Sequence, residues 1–234
     1  YNRKTINSLS RLESKMENYF KPTQQYSLNY NRLFADKHDI GGMLLWEMYH
    51  DRKTWVQGNK QYGIGLIEDL DYGDKENQTS GGKSEETAHQ GLVGRFNYAY
   101  AGKYLVEFNF RYDGSYKFRS DDRWGFFPGV SVGWRLSEEA FMKDLLPDLD
   151  NLKIRASYAE VGDEGDFNAF QYLDGYEYNG HYVLGSDGLT LGLRNRGMAN
   201  PWLTWYESKI KNIGFEASWM KGLLSVEFDY FQRN

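Results

Sequence analysis

Tyr104-Leu105-Val106-Glu107-Phe108-Asn109-Phe110-Arg111-Tyr112-Asp113 is the stretch that decides the fold class. Tyr104, Val106, Phe108, Phe110 and Tyr112 occupy one parity, and Leu105, Glu107, Asn109, Arg111 and Asp113 the other. Successive strand side chains point to opposite faces, so this period of two describes a ribbon with one apolar and one polar side. The preceding segment repeats the pattern: Leu92, Gly94, Phe96, Tyr98 and Tyr100 alternate with Val93, Arg95, Asn97 and Ala99. Between the two runs stand only Ala101, Gly102 and Lys103, a hairpin turn in which Gly102 can take a positive φ.

Working outward, the same alternation recurs at Tyr26–Asn31, Phe126–Leu136, Leu152–Ala159, Asn212–Trp219 and Ser225–Tyr230. His38–His50 is strand-like but mixed, because Leu44 and Leu45 are adjacent and Gly41-Gly42 interrupts. About eight strands result, each near the ~9–11 residues that a tilted strand needs to cross a bilayer. Their connections differ in length. Ala35–Lys37, Ala101–Lys103 and Met220–Gly222 are short, and 51–88 and 162–207 are long. Tight turns at one end and long loops at the other are the pattern of membrane barrels. Ser137–Asn151 falls at the short-turn end, where a helix is expected near 137–146, with Ser137 as N-cap, acids in its first turn and Pro147 closing it.

Composition agrees with an all-β chain. Among 234 residues there are 19 Tyr, 14 Phe, 7 Trp and 25 Gly but only 4 Pro. The net charge of -5 argues against a nucleic-acid partner, which would require a basic stripe. With no cysteine, a disulfide framework, a thiolate metal site and a Cys nucleophile are excluded. A mean hydropathy of -0.74 and the lack of any apolar run of ~18–20 residues exclude helical membrane spans. They do not exclude a barrel, which hides its apolar residues at alternate positions. The chain starts at Tyr1 and stops at Asn234 directly after an apparent strand, so it is read as a segment of something longer.

No chemistry-bearing motif emerges. His38, His50, His89 and His181 share no metal-ligand spacing. Asp69–Glu76 has the acids of a calcium loop without its regular ligand positions, and Gly162–Asp166 reads as acidic loop chemistry. The expectation is therefore no catalytic residue, no metal and no cofactor. Aromatics in the long connections have two readings. Trp55, Tyr176, Tyr178, Tyr182, Trp202 and Trp205 either pack the loops or form a platform that stacks on sugar rings or grips a peptide.

Several runs in order carry a resemblance: Gly91–Tyr98, Gly102–Ser115, Trp124–Pro128, Gly133–Glu139, Leu152–Tyr158, and Asn200-Pro201-Trp202-Leu203-Thr204-Trp205 before Asn212–Phe215. This order resembles the barrel of SusC/RagA-type TonB-dependent outer-membrane transporters, strongest from Gly91 to Gly162. The resemblance implies a large plugged barrel of 22 strands, of which a chain with about eight can hold roughly a third. It implies import of large nutrients, glycan or peptide, across a Gram-negative outer membrane. The implied partners are the remainder of the barrel and its plug, a SusD-type surface lipoprotein, the TonB system and outer-membrane lipid.

On this basis the expected fold class is all-β: an antiparallel meander of about eight strands, a section of a large transmembrane β-barrel without its plug. Phe96, Phe108, Phe110, Val132 and Trp134 are expected to face lipid. Arg95, Asn97, Glu107, Asn109 and Arg111 are expected to face the lumen. An autonomous eight-stranded barrel with an adhesin or structural role is the alternative, and a barrel-embedded enzyme stands third for want of a nucleophile–base pair.

Overall fold

The computed structural model of the chain describes residues 10–62, 69–183 and 188–234. Its strands are β1 (Ser10–Phe20), β2 (Thr23–Phe34), β3 (His38–Tyr62), β4 (Gln78–Tyr100), β5 (Tyr104–Ser115), β6 (Trp124–Arg135), β7 (Leu149–Asp163), β8 (Tyr176–Val183), β9 (Leu189–Asn195), β10 (Tyr206–Trp219) and β11 (Leu224–Arg233). A nine-stranded sheet runs β1-β3-β4-β5-β6-β7-β10-β11, with β2 also pairing β3, and β8-β9 form a separate two-stranded sheet. The strands pair antiparallel, as β4 with β5, β5 with β6 and β6 with β7. Among the described residues no helix is long and apolar enough to cross a membrane.

Two compact units divide the chain. The larger comprises Gln24–Met48 and His89–Asn234. Its sheet follows the expected meander, and the central hairpin has the expected register: Phe96 faces Phe108, Asn97 faces Glu107, and Tyr100 faces Tyr104. Ala101 and Gly102 both take positive φ, 51° and 68°, so the turn twist matches the strand twist. The outermost strands β2 and β11 are exposed along their whole length. Among the described residues of the larger unit no ladder joins β11 to β2. A closed eight-stranded barrel would need that ladder.

The smaller unit comprises Tyr1–Thr23 and Tyr49–Ala88. Here the expectation of one long loop over 51–88 is corrected. Residues 51–62 continue β3, residues 78–88 begin β4, and β1 pairs with β3 from Ser10↔Tyr62 to Phe20↔Arg52. Neither β1 nor this part of β3 alternates apolar with polar residues, so the hydrophobic signal for a strand is missing. The described part of the connection holds a single 3-10 turn, Leu70–Tyr72, whose N-cap Asp69 accepts the Asp71 N–H at 3.2 Å. Asp74 likewise accepts the Glu76 N–H at 3.0 Å. The acids that resembled a calcium loop therefore cap backbone. Segments 63–68 and 184–187 of the two expected long loops lie outside the described residues. The second of those loops is also partly regular, since it contains the β8–β9 hairpin.

The expected helix forms with different ends. Leu136–Glu138 is a 3-10 turn and α1 spans Ala140–Leu145. Ser137 is not the N-cap: it is buried within the 3-10 turn, and Glu139 occupies the cap position without a side-chain bond to the helix. The Glu139 carboxylate is instead engaged elsewhere, accepting from Lys103, Tyr104 and Trp134. The helix ends at Leu145, before Pro147, because a residue preceding proline disfavours the α region.

Candidate functional site

In the larger unit, strand register sorts side chains onto two faces. On the apolar face Phe96 stands opposite Phe108, and Phe108 opposite Val130. Val132 and Trp134 continue that face on β6, with Val132 opposite Val106 and Trp134 opposite Tyr104. The Phe110 ring lies 6.0 Å from Phe108 and 5.7 Å from Phe126. Room for it comes from Gly94 directly opposite, where any Cβ would overlap the Phe110 ring.

Arg95, Asn97, Glu107, Asn109 and Arg111 all fall on the other face. Arg95 approaches Glu107 at 4.0 Å, and the Asn109 amide donates to Glu107 at 3.3 Å. A hollow of about 510 Å3 opens on this face, lined among others by Asn97, Glu107, Ser131, Lys153, Arg155 and Asp229. Its charges are mixed. Arg155 bonds the carboxylates of Glu216, Glu227 and Asp229, tying β7, β10 and β11 together. Hydrogen-bonding groups of both signs around a hollow suit a polar occupant, and no nucleophile–base pair is assembled there.

A second polar chain lies at the far end of the same face. Arg111 donates twice to Asp113, at 2.9 Å each, and once to Glu47 at 2.9 Å. His89 stands between Asp113 (3.5 Å) and Glu164 (3.3 Å), and Lys117 lies 3.5 Å from Glu164. Acidic and basic groups therefore alternate from Glu47 to Lys117. The hydrogen bond from His89 holds the Glu164 carboxyl below its ordinary range, against the opposing effect of burial. Sequence reading placed Arg111 on this face but missed His89 and Glu164. They are 75 residues apart, and only the pairing of β7 with its neighbours brings them together.

The aromatics divide as well. Trp55 is corrected from loop to strand: it sits in β3 opposite Glu17, with the Lys15 ammonium 5.3 Å from its ring. Trp205 is occupied in packing. Its ring lies 5.3 Å from Phe118 and 5.2 Å from Phe127, and its N–H donates to the Arg123 carbonyl at 3.1 Å. Phe118 is wholly buried there. Tyr176, Tyr178 and Tyr182 belong to β8 and are exposed, as is Trp202 at 86%. Tyr182 donates to the Leu193 carbonyl across the hairpin.

Comparison with known proteins now places the fold. Residues 1–234 match the family described as TonB dependent receptor-like, beta-barrel. The chain belongs to this TonB-dependent receptor β-barrel family. Among its relatives, TonB-dependent receptor P39 of Formosa agariphila is 34% identical over 212 residues, 87% of this chain and 19% of that protein. TonB-dependent receptor SusC of Bacteroides thetaiotaomicron is 34% identical over 142 residues, 60% of this chain and 14% of that protein. A solved structure of the RagAB peptide importer in the closed-closed state superposes with a TM-score of 0.76 at 21% identity, covering 94% of this chain and 24% of that one. The TonB-dependent receptor chain thus spans about a fifth or less of the curated relatives it matches. Its nine-stranded antiparallel sheet is a section of the large barrel.

Proposed function

We propose that this chain is one section of the wall of an outer-membrane transporter, with its apolar face toward lipid and its polar face toward the lumen. The single observation that carries this reading is the separation of the two faces across the same strands. Phe96, Phe108, Phe110, Val132 and Trp134 lie on one side, and Arg95, Asn97, Glu107, Asn109, Arg111 and the Arg155 cluster on the other. A soluble sheet with one core would bury its apolar face. Here that face is left exposed at Phe96, Phe108, Val130 and Val132.

The cargo of the full-length receptor is a large nutrient, a glycan or a peptide, taken up together with a SusD-type surface lipoprotein and driven by the TonB system acting on a plug. Membership of the family supports this, as does the likeness to SusC and to the RagAB peptide importer. Tyr176, Tyr178, Tyr182 and Trp202, exposed on and beside the β8–β9 hairpin, are the residues assigned to cargo or lipoprotein contact.

The test is uptake of fluorescent peptide and oligosaccharide pools by cells producing the full-length receptor with its lipoprotein. Accumulation of one pool that collapses with the proton-motive force is the expected result. Uptake indifferent to that force, or of neither pool, would contradict the reading.

A further inference from the structure

The helix α1 and its neighbouring turn carry exposed apolar side chains that the wall of a barrel does not explain. Glu139, at the N-cap, accepts from Tyr104 Oη at 2.7 Å, from Trp134 Nε1 at 3.2 Å and from Lys103 Nζ at 3.0 Å. Tyr104 and Trp134 belong to an aromatic row on the apolar face: the Tyr104 ring lies 6.3 Å from Tyr100 and 6.2 Å from Trp134. One carboxylate therefore fastens the start of the helix to the polar tips of that row. Beyond it, Phe141 and Leu145 stand one helical turn apart, on one side of α1, and are 56% and 70% exposed. The β10–β11 turn adds Leu223, 81% exposed, and is held to the segment after α1 by the Met220 N–H donating to the Asp148 carbonyl at 3.1 Å.

We propose that this patch is a membrane-interface anchor, in which Phe141, Leu145 and Leu223 enter the boundary between phospholipid headgroups and acyl chains. The inference rests on the reading of the apolar face as the lipid face. Two observations favour lipid over a protein partner. Glu139 fastens the start of α1 to the row Tyr100–Tyr104–Trp134, and Tyr and Trp with an apolar body and a hydrogen-bonded tip suit that boundary. The six-residue helix is also far too short to span, while its Lys143–Glu138 pair at 2.8 Å gives it a charged component, as an interfacial helix requires.

The test uses the full-length receptor in vesicles of phosphatidylcholine and phosphatidylglycerol. Single-cysteine variants Phe141→Cys, Leu145→Cys, Asp144→Cys and Val132→Cys carry an environment-sensitive fluorophore, and heat-modifiability on gels checks that each barrel is folded. Labels at 141 and 145 are expected to be quenched at least twofold more by shallow-brominated lipid than the label at 144, which iodide quenches instead. If 132 is quenched by lipid while 141 and 145 respond only to iodide, the anchor is overturned and the barrel wall stands. Labels at 141 and 145 shielded from both quenchers would overturn it in favour of a protein partner. No lipid quenching at 132 would overturn the wall reading and the anchor together.

Discussion

Arg155 reaches the Asp229 carboxylate across an intervening strand, because Gly214 stands between them. Gly214 is the register partner of Arg155 on β7 and of Asp229 on β11, and a Cβ there would overlap the Asp229 carboxylate. The missing side chain opens the lane through which one guanidinium gathers three carboxylates from two strands. Arginine suits this task, since its fork of donors can serve several carboxylate oxygens at once.

Arg155→Ala in the full-length receptor takes the shared cation from Glu216, Glu227 and Asp229 and leaves only Lys153, 3.9 Å from Glu216, beside the three carboxylates. The heat-modifiability midpoint is expected to fall, and raising salt from 50 mM to 0.5 M is expected to restore part of the loss, because like-charge repulsion is screened. Lys at 155 should restore less than the native arginine. A midpoint unaffected by Arg155→Ala would mean that the cluster does not hold these strands.

Apolar-face substitutions are expected to be costly and polar-face ones mild. Phe108→Arg and Val132→Arg should each destabilise the membrane-inserted barrel by ~2–4 kcal/mol near the bilayer midplane. Asn109→Ser should be close to neutral. Urea titration of the receptor in lipid vesicles separates the two classes, and equal tolerance of both would place these strands outside lipid.

Much of this was legible in the sequence, and the residues show why. Phe108 and Arg111 could be assigned to opposite faces because their odd spacing and the clean alternation of β5 leave one register. The same rule failed for β1 and for residues 51–62 of β3, where Glu13 and Lys15 pair with Asn59 and Gln57 on one face and Asn18 pairs with Thr54 on the other. A strand with polar residues on both faces carries no hydrophobic period. His89 and Glu164 were invisible for another reason: their meeting depends on strand order, which local pattern does not report. Trp205 and Trp202 look alike in the sequence, and only the burial of Phe118 separates the packed one from the presented one.

That difference is testable. Trp205→Ala removes the contacts with Phe118 and Phe127 and should lower stability by ~3 kcal/mol, in the range of large aromatic truncations. Trp202→Ala, at an exposed site, should stay within ~0.5 kcal/mol. Thermal unfolding of the two variants side by side decides it, and a Trp202 variant as damaged as the Trp205 variant would contradict the assignment.

Acid should release the helix latch. The hydrogen bond from Tyr104, with those from Lys103 and Trp134, holds the Glu139 carboxyl below its ordinary range. A lowered folded-state value means that this contribution is fully present at neutral pH, above the ordinary carboxylate range. It is lost as pH falls through the lower folded value. Fluorescence of Trp134 in a variant with the other tryptophans replaced should therefore change in a single acid step. Glu139→Gln should abolish that step, and its persistence in the variant would assign it elsewhere.

The two-faced wall is tested most directly by a nitroxide scan of β5 in the full-length receptor, one spin label at a time from Tyr104 to Tyr112, in lipid nanodiscs. Accessibility to oxygen, which concentrates in lipid, and to a water-soluble nickel chelate, which does not, is measured at each position. Oxygen accessibility should peak at Val106, Phe108 and Phe110 and dip at Glu107, Asn109 and Arg111, with the nickel profile in opposite phase. Oxygen and nickel profiles that rise and fall together, or that show no period of two, would contradict a lipid-facing and a lumen-facing side.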